Sequence, residues 1–440
     1  MVCKRCEKKL SVAAPDPFTA SSSAIKDGSR KVGENKLLSR PGSSKNRFQP
    51  YQGKCKDCKQ PCTQNKAKYC HVEIDMEGLP DTGLDTTAWD AGELPPLEDM
   101  WSLNDFQIAA KNTLSRRSYG KLTGALDEVT YQANLEIWKK VRIPGQSFKD
   151  VSDVNLATTI LGHNFSLPFF IAPAASAGRA NESAELSLAT AAGKKGILYV
   201  PSISATKSME EIAAAGLENQ TMFHQEYIWS NRSRIRDELG RMESLGFKAV
   251  FLTVDNVGIN GIRTRYLRET GPRTEAGHST DFDLQSLADF RNLTSLPIVP
   301  KGIRTAADAR TCLELGFPAI YVSNHGGRTL DGAPTAVEIL LDIRRNAPEV
   351  FERMEVYADG GVRRGDHVIT LLALGAKAVG LGRTPIFANI WGEDGVLRMI
   401  DLLETEFRTT MTLMGESDSN NIDASYINTN QIEHDYFSLN

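Results

Sequence analysis

Ala319-Ile320-Tyr321-Val322-Ser323-Asn324-His325-Gly326-Gly327-Arg328 begins as an apolar run and ends on a base, two glycines and an arginine. The apolar half reads as a buried strand. Its end reads as a turn in which Gly326 and Gly327 leave the backbone open to a ligand while His325 and Arg328 point at it. That combination suits a hydroxy acid. Arg328 is a planar, bidentate partner for a carboxylate, and His325 is a base for the neighbouring hydroxyl.

The same kind of strand recurs on both sides of this stretch. Candidates are Leu167 to Ala172, Gly196 to Pro201, Thr221 to Tyr227, Ala249 to Asp255, Leu296 to Lys301, Ala319 to Ser323, Met354 to Asp359 and Ala378 to Gly382. Helical segments lie between most of them: Lys207 to Ala215, Ser233 to Leu245, Thr305 to Leu315, Ala336 to Asn346 and Asp366 to Leu374. Thr305, with Asp308 three residues on, is a capping-box-like start. Eight strands alternating with helices predict an α/β chain folded as a (β/α)8 TIM barrel. Polar residues close strand after strand: Gln225 and Tyr227, Thr253 and Asp255, Lys301, His325 and Arg328, Asp359 and Arg363, then Arg383. In such barrels the carboxyl ends of the strands carry the active site.

Strands seven and eight run into Asp359-Gly360-Gly361-Val362-Arg363-Arg364-Gly365 and Gly380-Leu381-Gly382-Arg383. These are the positions where the fold commonly holds a phosphate. Glycine amides approach its oxygens and Arg363 and Arg383 neutralise them, which points to a phosphorylated cofactor. Lys301 adds a cation able to stabilise a ring that becomes negative on reduction. Asp255, paired with His325, favours the protonated imidazole and so strengthens the base.

The chain's totals conceal two unlike parts. Residues 1–71 contain 16 Lys and Arg against 5 Asp and Glu, although the whole chain is at −4. Six of the seven cysteines also fall there. Cys3 with Cys6 and Cys55 with Cys58 form two C-x-x-C pairs, the expected ligands of a zinc ion in a zinc-ribbon-like segment, which contributes roughly 10 to 16 kcal/mol to folding such a module. No apolar run is long enough to span a membrane. The start lacks the apolar core of a secretory signal and Phe437-Ser438-Leu439-Asn440 is not a peroxisomal address, so the expectation is an intracellular, cytoplasmic protein that contacts neither membrane nor nucleic acid. Residues 72–100, with Gly78, Pro80, Gly83, Gly92, Pro95 and Pro96, read as a linker, 101–415 as the barrel and 416–440 as a tail.

Two resemblances follow from these motifs. Met1-Val2-Cys3-Lys4-Arg5-Cys6, Arg47-Phe48-Gln49-Pro50-Tyr51 and the second C-x-x-C resemble the cysteine-rich PDZ-binding protein family, truncated before its last cysteine-rich segment and PDZ-binding tail. From about residue 101 to 415 the chain resembles the FMN-dependent α-hydroxy acid oxidases and dehydrogenases, the glycolate oxidase and flavocytochrome lactate dehydrogenase group. Ile171-Ala172-Pro173-Ala174-Ala175, Leu252-Thr253-Val254-Asp255, Ser323 to Arg328 and the two glycine-rich strand ends carry this resemblance.

It implies FMN, with the backbone at Ala175 near the flavin N5 and Ser202, Gln225 and Thr253 at the ring. Lys301 lies by N1 and O2, Ser323 joins the cofactor set, and Asp359, Gly361, Arg363, Gly382 and Arg383 hold the ribityl phosphate. His325 is then the base, Asp255 its partner, Arg328 the carboxylate clamp and Tyr227 a substrate-side hydroxyl. The implied reaction takes an L-2-hydroxy acid to a 2-oxo acid, with oxygen or a diffusible acceptor reoxidising the flavin, in a homo-oligomer that the family makes a tetramer.

Two departures concern the substrate. Gly120 stands where the family places a carboxylate-binding tyrosine, with Tyr119 one residue off. The segment Asn256 to Arg263 matches the family's arginine only after a shift of one residue. Both favour an acid other than glycolate or lactate. The competing readings are another FMN barrel oxidoreductase or isomerase, and a cysteine-rich interaction protein carrying a non-catalytic flavin barrel.

Overall fold

The structure, a computed structural model, describes residues 81–87, 89–256 and 278–437. A short antiparallel hairpin, β1 (Thr158–Ile160) and β2 (His163–Phe165), comes first among the described strands. Seven parallel strands follow: β3 (Phe169–Ile171), β4 (His224–Tyr227), β5 (Val250–Thr253), β6 (Ile298–Ile303), β7 (Ala319–Val322), β8 (Glu355–Asp359) and β9 (Ala378–Leu381). They pair in the order β3-β9-β8-β7-β6-β5-β4.

Residues 198–201 join the two ends of that sheet. Ile171 N donates to Leu198 O (3.0 Å) and Val200 N to Ile171 O (3.0 Å). On the other side Phe223 N donates to Tyr199 O (3.3 Å) and Gln225 N to Pro201 O (2.9 Å). The ring is therefore a closed (β/α)8-type barrel. Its second position, expected as a strand over Gly196 to Pro201, pairs only through isolated parallel bridges at Tyr199 and Ser202. Pro201 has no N–H and cannot continue a ladder.

Alternation along each strand sorts the side chains into two cores. Phe170, Phe223, Phe251, Tyr321 and Tyr357 fill the barrel's interior with Val200, Val299 and Ala378. The rings of Phe251 and Tyr321 meet edge to face at 5.3 Å, and those of Phe170 and Tyr321 at 5.6 Å, the geometry aromatic quadrupoles prefer. Ile160 and Phe165 of the hairpin join this cluster. Leu161 N donates to the carboxylate of Glu355, the first residue of β8, so the hairpin plugs the amino-terminal end.

The intervening residues, such as Ile320 and Val322, face outward to the helices. The longest helix, Glu393–Met414, buries Val396, Met399, Ile400, Leu403, Phe407 and Met411 along one side, the helical spacing of an amphipathic segment. Thr305 caps its helix as expected, accepting from Asp308 N at 3.1 Å. Trp391 Nε1 donates to Pro95 O (2.8 Å), and Met100 is fully buried, so the stretch just before the barrel packs onto it. The helix Asn430–Phe437 docks through buried Ile432. Among the described residues no helix is long and apolar enough to cross a membrane.

Candidate active site

The inner face continues past the aromatic layer, and two residues further along each strand its character changes. Phe223 is followed by Gln225, Phe251 by Thr253, Val299 by Lys301, Tyr321 by Ser323 and Tyr357 by Asp359. These polar residues bond to one another around the rim. Ser202 Oγ donates to Gln225 Oε1 (2.7 Å), and Gln225 Nε2 donates to Thr253 Oγ1 (3.0 Å). Lys301, 4% exposed, places Nζ 3.4 Å from Ser323 Oγ and 3.9 Å from the Asp359 carboxylate. Ser323 donates to Asp359 at 2.6 Å and accepts from His325 N at 3.0 Å. Each of these buried rim side chains thus has a partner, as burial requires.

Beyond this layer His325, Gly326 and Gly327 all adopt left-handed backbone (φ 59, 64 and 76°), so the chain turns sharply and holds the imidazole over the cavity. His325 Nδ1 lies 2.9 Å from Asp255 Oδ1. A carboxylate only accepts, so the proton sits on Nδ1 and Nε2 remains the basic nitrogen. Burial raises the Asp255 pKa, but His325, then Lys301 and Arg304, outweigh it and hold the carboxyl below its usual range. Gly302 (φ 108°) makes room for this pair, because a Cβ there would come within 2.5 Å of Asp255. Arg328 donates to Leu122 O (2.9 Å) and Lys121 O (3.3 Å), which aims its guanidinium along the cavity wall.

The ends of β8 and β9 form a cationic cradle. Gly360 and Gly361 have positive φ (121 and 71°), and Arg363 is buried behind them. Arg363 donates to Val362 O (2.9 Å) and Gln107 Oε1 (3.0 Å), while its buried Nε has no protein partner. Burial, with the like charge of Arg383, pushes its guanidinium pKa down. Arg383 donates to Gly326 O and lies 4.5 Å over the Tyr131 ring. A Cβ on Gly382 would meet open space, and one on Gly380 would collide with the Tyr321 hydroxyl.

One cavity of about 720 Å³ connects these features. It is lined by Ala175, Ser202, Gln225, Tyr227, Thr253 and Lys301 on one arc. His325, Arg328, Asp359, Gly361, Arg363, Gly382 and Arg383 line the other. Asp255 and Ser323 lie behind the wall, bonded to His325 and Asp359. Cys3, Cys6, Cys55, Cys58 and Arg263 lie outside the described residues. Among those described, no group of His, Cys, Asp and Glu is placed to hold a metal.

The family model for FMN-dependent dehydrogenase matches residues 110–279 and 270–429. The chain belongs to the FMN-dependent dehydrogenase family. Among its relatives, 2-hydroxyacid oxidase 2 of Bos taurus is 35% identical over 335 residues, covering 71% of this chain and 94% of that protein. The flavin-binding domain of baker's yeast flavocytochrome b2 superposes with a TM-score of 0.74 at 30% identity, over 77% of this chain and 89% of that one. A mandelate oxidase structure with 3,3-difluoro-2-hydroxy-3-phenylpropionic acid gives a TM-score of 0.68 at 33% identity, over 75% and 98%. Residues 3–73 match the model for microtubule-associated protein CRIPT, the family whose cysteine pairs the amino terminus resembles.

The protein is therefore an FMN-dependent oxidoreductase, and its cavity fits the cofactor. The unpartnered Nε of Arg363, the open space beside Gly382, the positive-φ turn at Gly360 and Gly361, and the second guanidinium of Arg383 make a donor set suited to a phosphate. Other members of the cavity wall were not legible in the sequence. Tyr131 and Asn134 line it from the helix Val129–Glu136, three residues apart and so on one face. Trp229 and His278 line it beside Tyr227. Gly120 presents no side chain, and Tyr119 does not take its place: its hydroxyl accepts from Gln107 (3.2 Å) and its ring stacks on Phe387, away from the cavity.

Proposed function

We propose that this chain oxidises an L-2-hydroxy acid to the corresponding 2-oxo acid. The observation that carries the reading is the Asp255–His325 pair at 2.9 Å, set at the same cavity as Arg328 and the phosphate cradle. Arg328 binds the substrate carboxylate through both arms of its guanidinium. His325 Nε2 then accepts the α-hydroxyl proton, and the buried Asp255 carboxylate stabilises the imidazolium that forms. The Tyr227 hydroxyl orients the same oxygen from the substrate side. When bound, FMN supplies the two-electron acceptor for the α-hydrogen, to be reoxidised by oxygen or a diffusible acceptor.

The residues that would hold it are Ala175, Ser202, Gln225 and Thr253 at the ring and Lys301 at its electron-rich edge. Ser323 joins this set, and Asp359, Gly361, Arg363, Gly382 and Arg383 hold the ribityl phosphate. The two C-x-x-C pairs support a zinc ion in the first 71 residues, and family membership supports a homo-oligomer.

The test is the visible spectrum of the purified chain, followed by anaerobic addition of L-2-hydroxy acids ranging from small to aromatic. Flavin absorbance that bleaches with at least one acid is the expected result. Bound flavin that none of them reduces would overturn the assignment of substrate class.

A further inference from the structure

Tyr227 does not stand alone at its end of the cavity. The His278 ring stacks on it at 4.2 Å with 19° between the planes, and Trp229 meets His278 edge to face at 4.8 Å. The backbone holds this group together: residues 229 and 278 pair as an antiparallel bridge, and Ser279 N donates to Ile228 O at 2.8 Å. Two polar side chains orient the indole. Trp229 Nε1 donates to buried Glu226 at 2.8 Å, the same oxygen that accepts from Tyr227 N at 2.7 Å. Arg234 lies 3.5 Å from the ring centroid, a cation–π contact.

All three residues line the cavity, whereas the neighbouring segment contributes only Ser202 and Ser204. This wall is aromatic and lines the same cavity as Arg328 and His325, which would fix the carboxylate and hydroxyl. A substrate methyl group would leave it uncovered, while a planar ring would cover it.

Taking the hydroxy acid reading above as its basis, we infer that Tyr227, Trp229 and His278 form an aromatic subsite for the substrate's side chain, making aryl-substituted 2-hydroxy acids the preferred class. Glu226 and Arg234 act as positioning residues, since they touch Trp229 and not the ligand.

The experiment uses the FMN-loaded full chain and two readouts. One is the affinity for benzoylformate and for pyruvate, as 2-oxo acid product analogues, from the perturbation of the flavin spectrum. The other is the anaerobic reduction rate with mandelate, phenyllactate, lactate and glycolate. The expected result is benzoylformate bound at least about tenfold more tightly than pyruvate, with the same preference in reduction. His278→Ala is expected to reduce that ratio to about threefold or less.

Ser204→Trp, which fills the subsite without removing its wall, is expected to abolish aryl binding and leave pyruvate binding in place. Equal affinities, or efficient reduction by lactate or glycolate but not by the aryl acids, would overturn the subsite and leave the hydroxy acid reading standing. A bound flavin that neither binds nor is reduced by any of these acids would overturn both.

Discussion

The aromatic layer inside the barrel and the polar rim above it are built from the same strands and the same inward face, yet they do opposite work. On β5, Phe251 packs, Thr253 bonds to Gln225, and Asp255 holds His325. On β7, Tyr321 packs, Ser323 bonds to Asp359, and His325 is held over the cavity. One pleat repeat, about 7 Å along a strand, separates interior from chemistry. The apolar layer is stabilised by burial and is indifferent to the ligand. The rim pays for buried polar atoms with a hydrogen-bond network and leaves some capacity, such as Arg363 Nε, unused by the protein.

If the two layers are separable, changes in one should spare the other. The largest effect is expected from His325→Asn, a replacement that tolerates the left-handed backbone at this position. Flavin reduction should slow by about 10²- to 10⁴-fold, with the melting temperature unchanged. A parallel fall in both would show that the turn stabilises the barrel as well as the reaction. Phe251→Ala in the layer below should cost about 3 to 5 kcal/mol in urea unfolding, while the folded protein retains its rate of reduction. Lost flavin binding in that variant under native conditions would break the separation from the other side.

The smallest effect concerns the outer face of β4. Burial pushes the Glu226 carboxyl up to about 8. A carboxyl with a raised folded pKa contributes stability that is fully present below its unfolded value, near 4.5, and is lost as pH rises through the folded one. Glu226→Gln keeps an oxygen for Trp229 Nε1 but cannot ionise. Its melting temperature should therefore exceed that of the parent by several degrees at pH 9, and the difference should shrink towards pH 5. A difference that does not change with pH would mean that Glu226 already ionises freely in the folded chain.

Much of this was legible in the residues alone. Apolar runs of strand length, most of them closed by polar residues, located seven strands and the closing segment, because strand length and burial are written locally into the chain. Thr305 and Asp308 marked a helix start for an equally local reason, a side chain reaching an amide three residues on. The strand expected at Gly196 to Pro201 shows where local reading weakens: apolarity signalled its place in the ring, but Pro201 interrupts its ladder. Tyr131 and Asn134 carried no signal, since their place in the site depends on contacts with residues far along the chain; Asn134 bonds to Asn324, 190 positions away.

By itself, then, the sequence determined the alternation of strands and helices, the side chains at the strand ends, and the glycines that let the backbone approach a phosphate. These depend on backbone sterics and on spacing within a few residues. Only the tertiary structure decided that Tyr119 turns away from the cavity, that Leu122 and Lys121 aim Arg328, and that Trp229 and His278 close a wall beside Tyr227. Those outcomes are set by which surfaces meet when the ring closes, and no spacing along the chain encodes such a meeting.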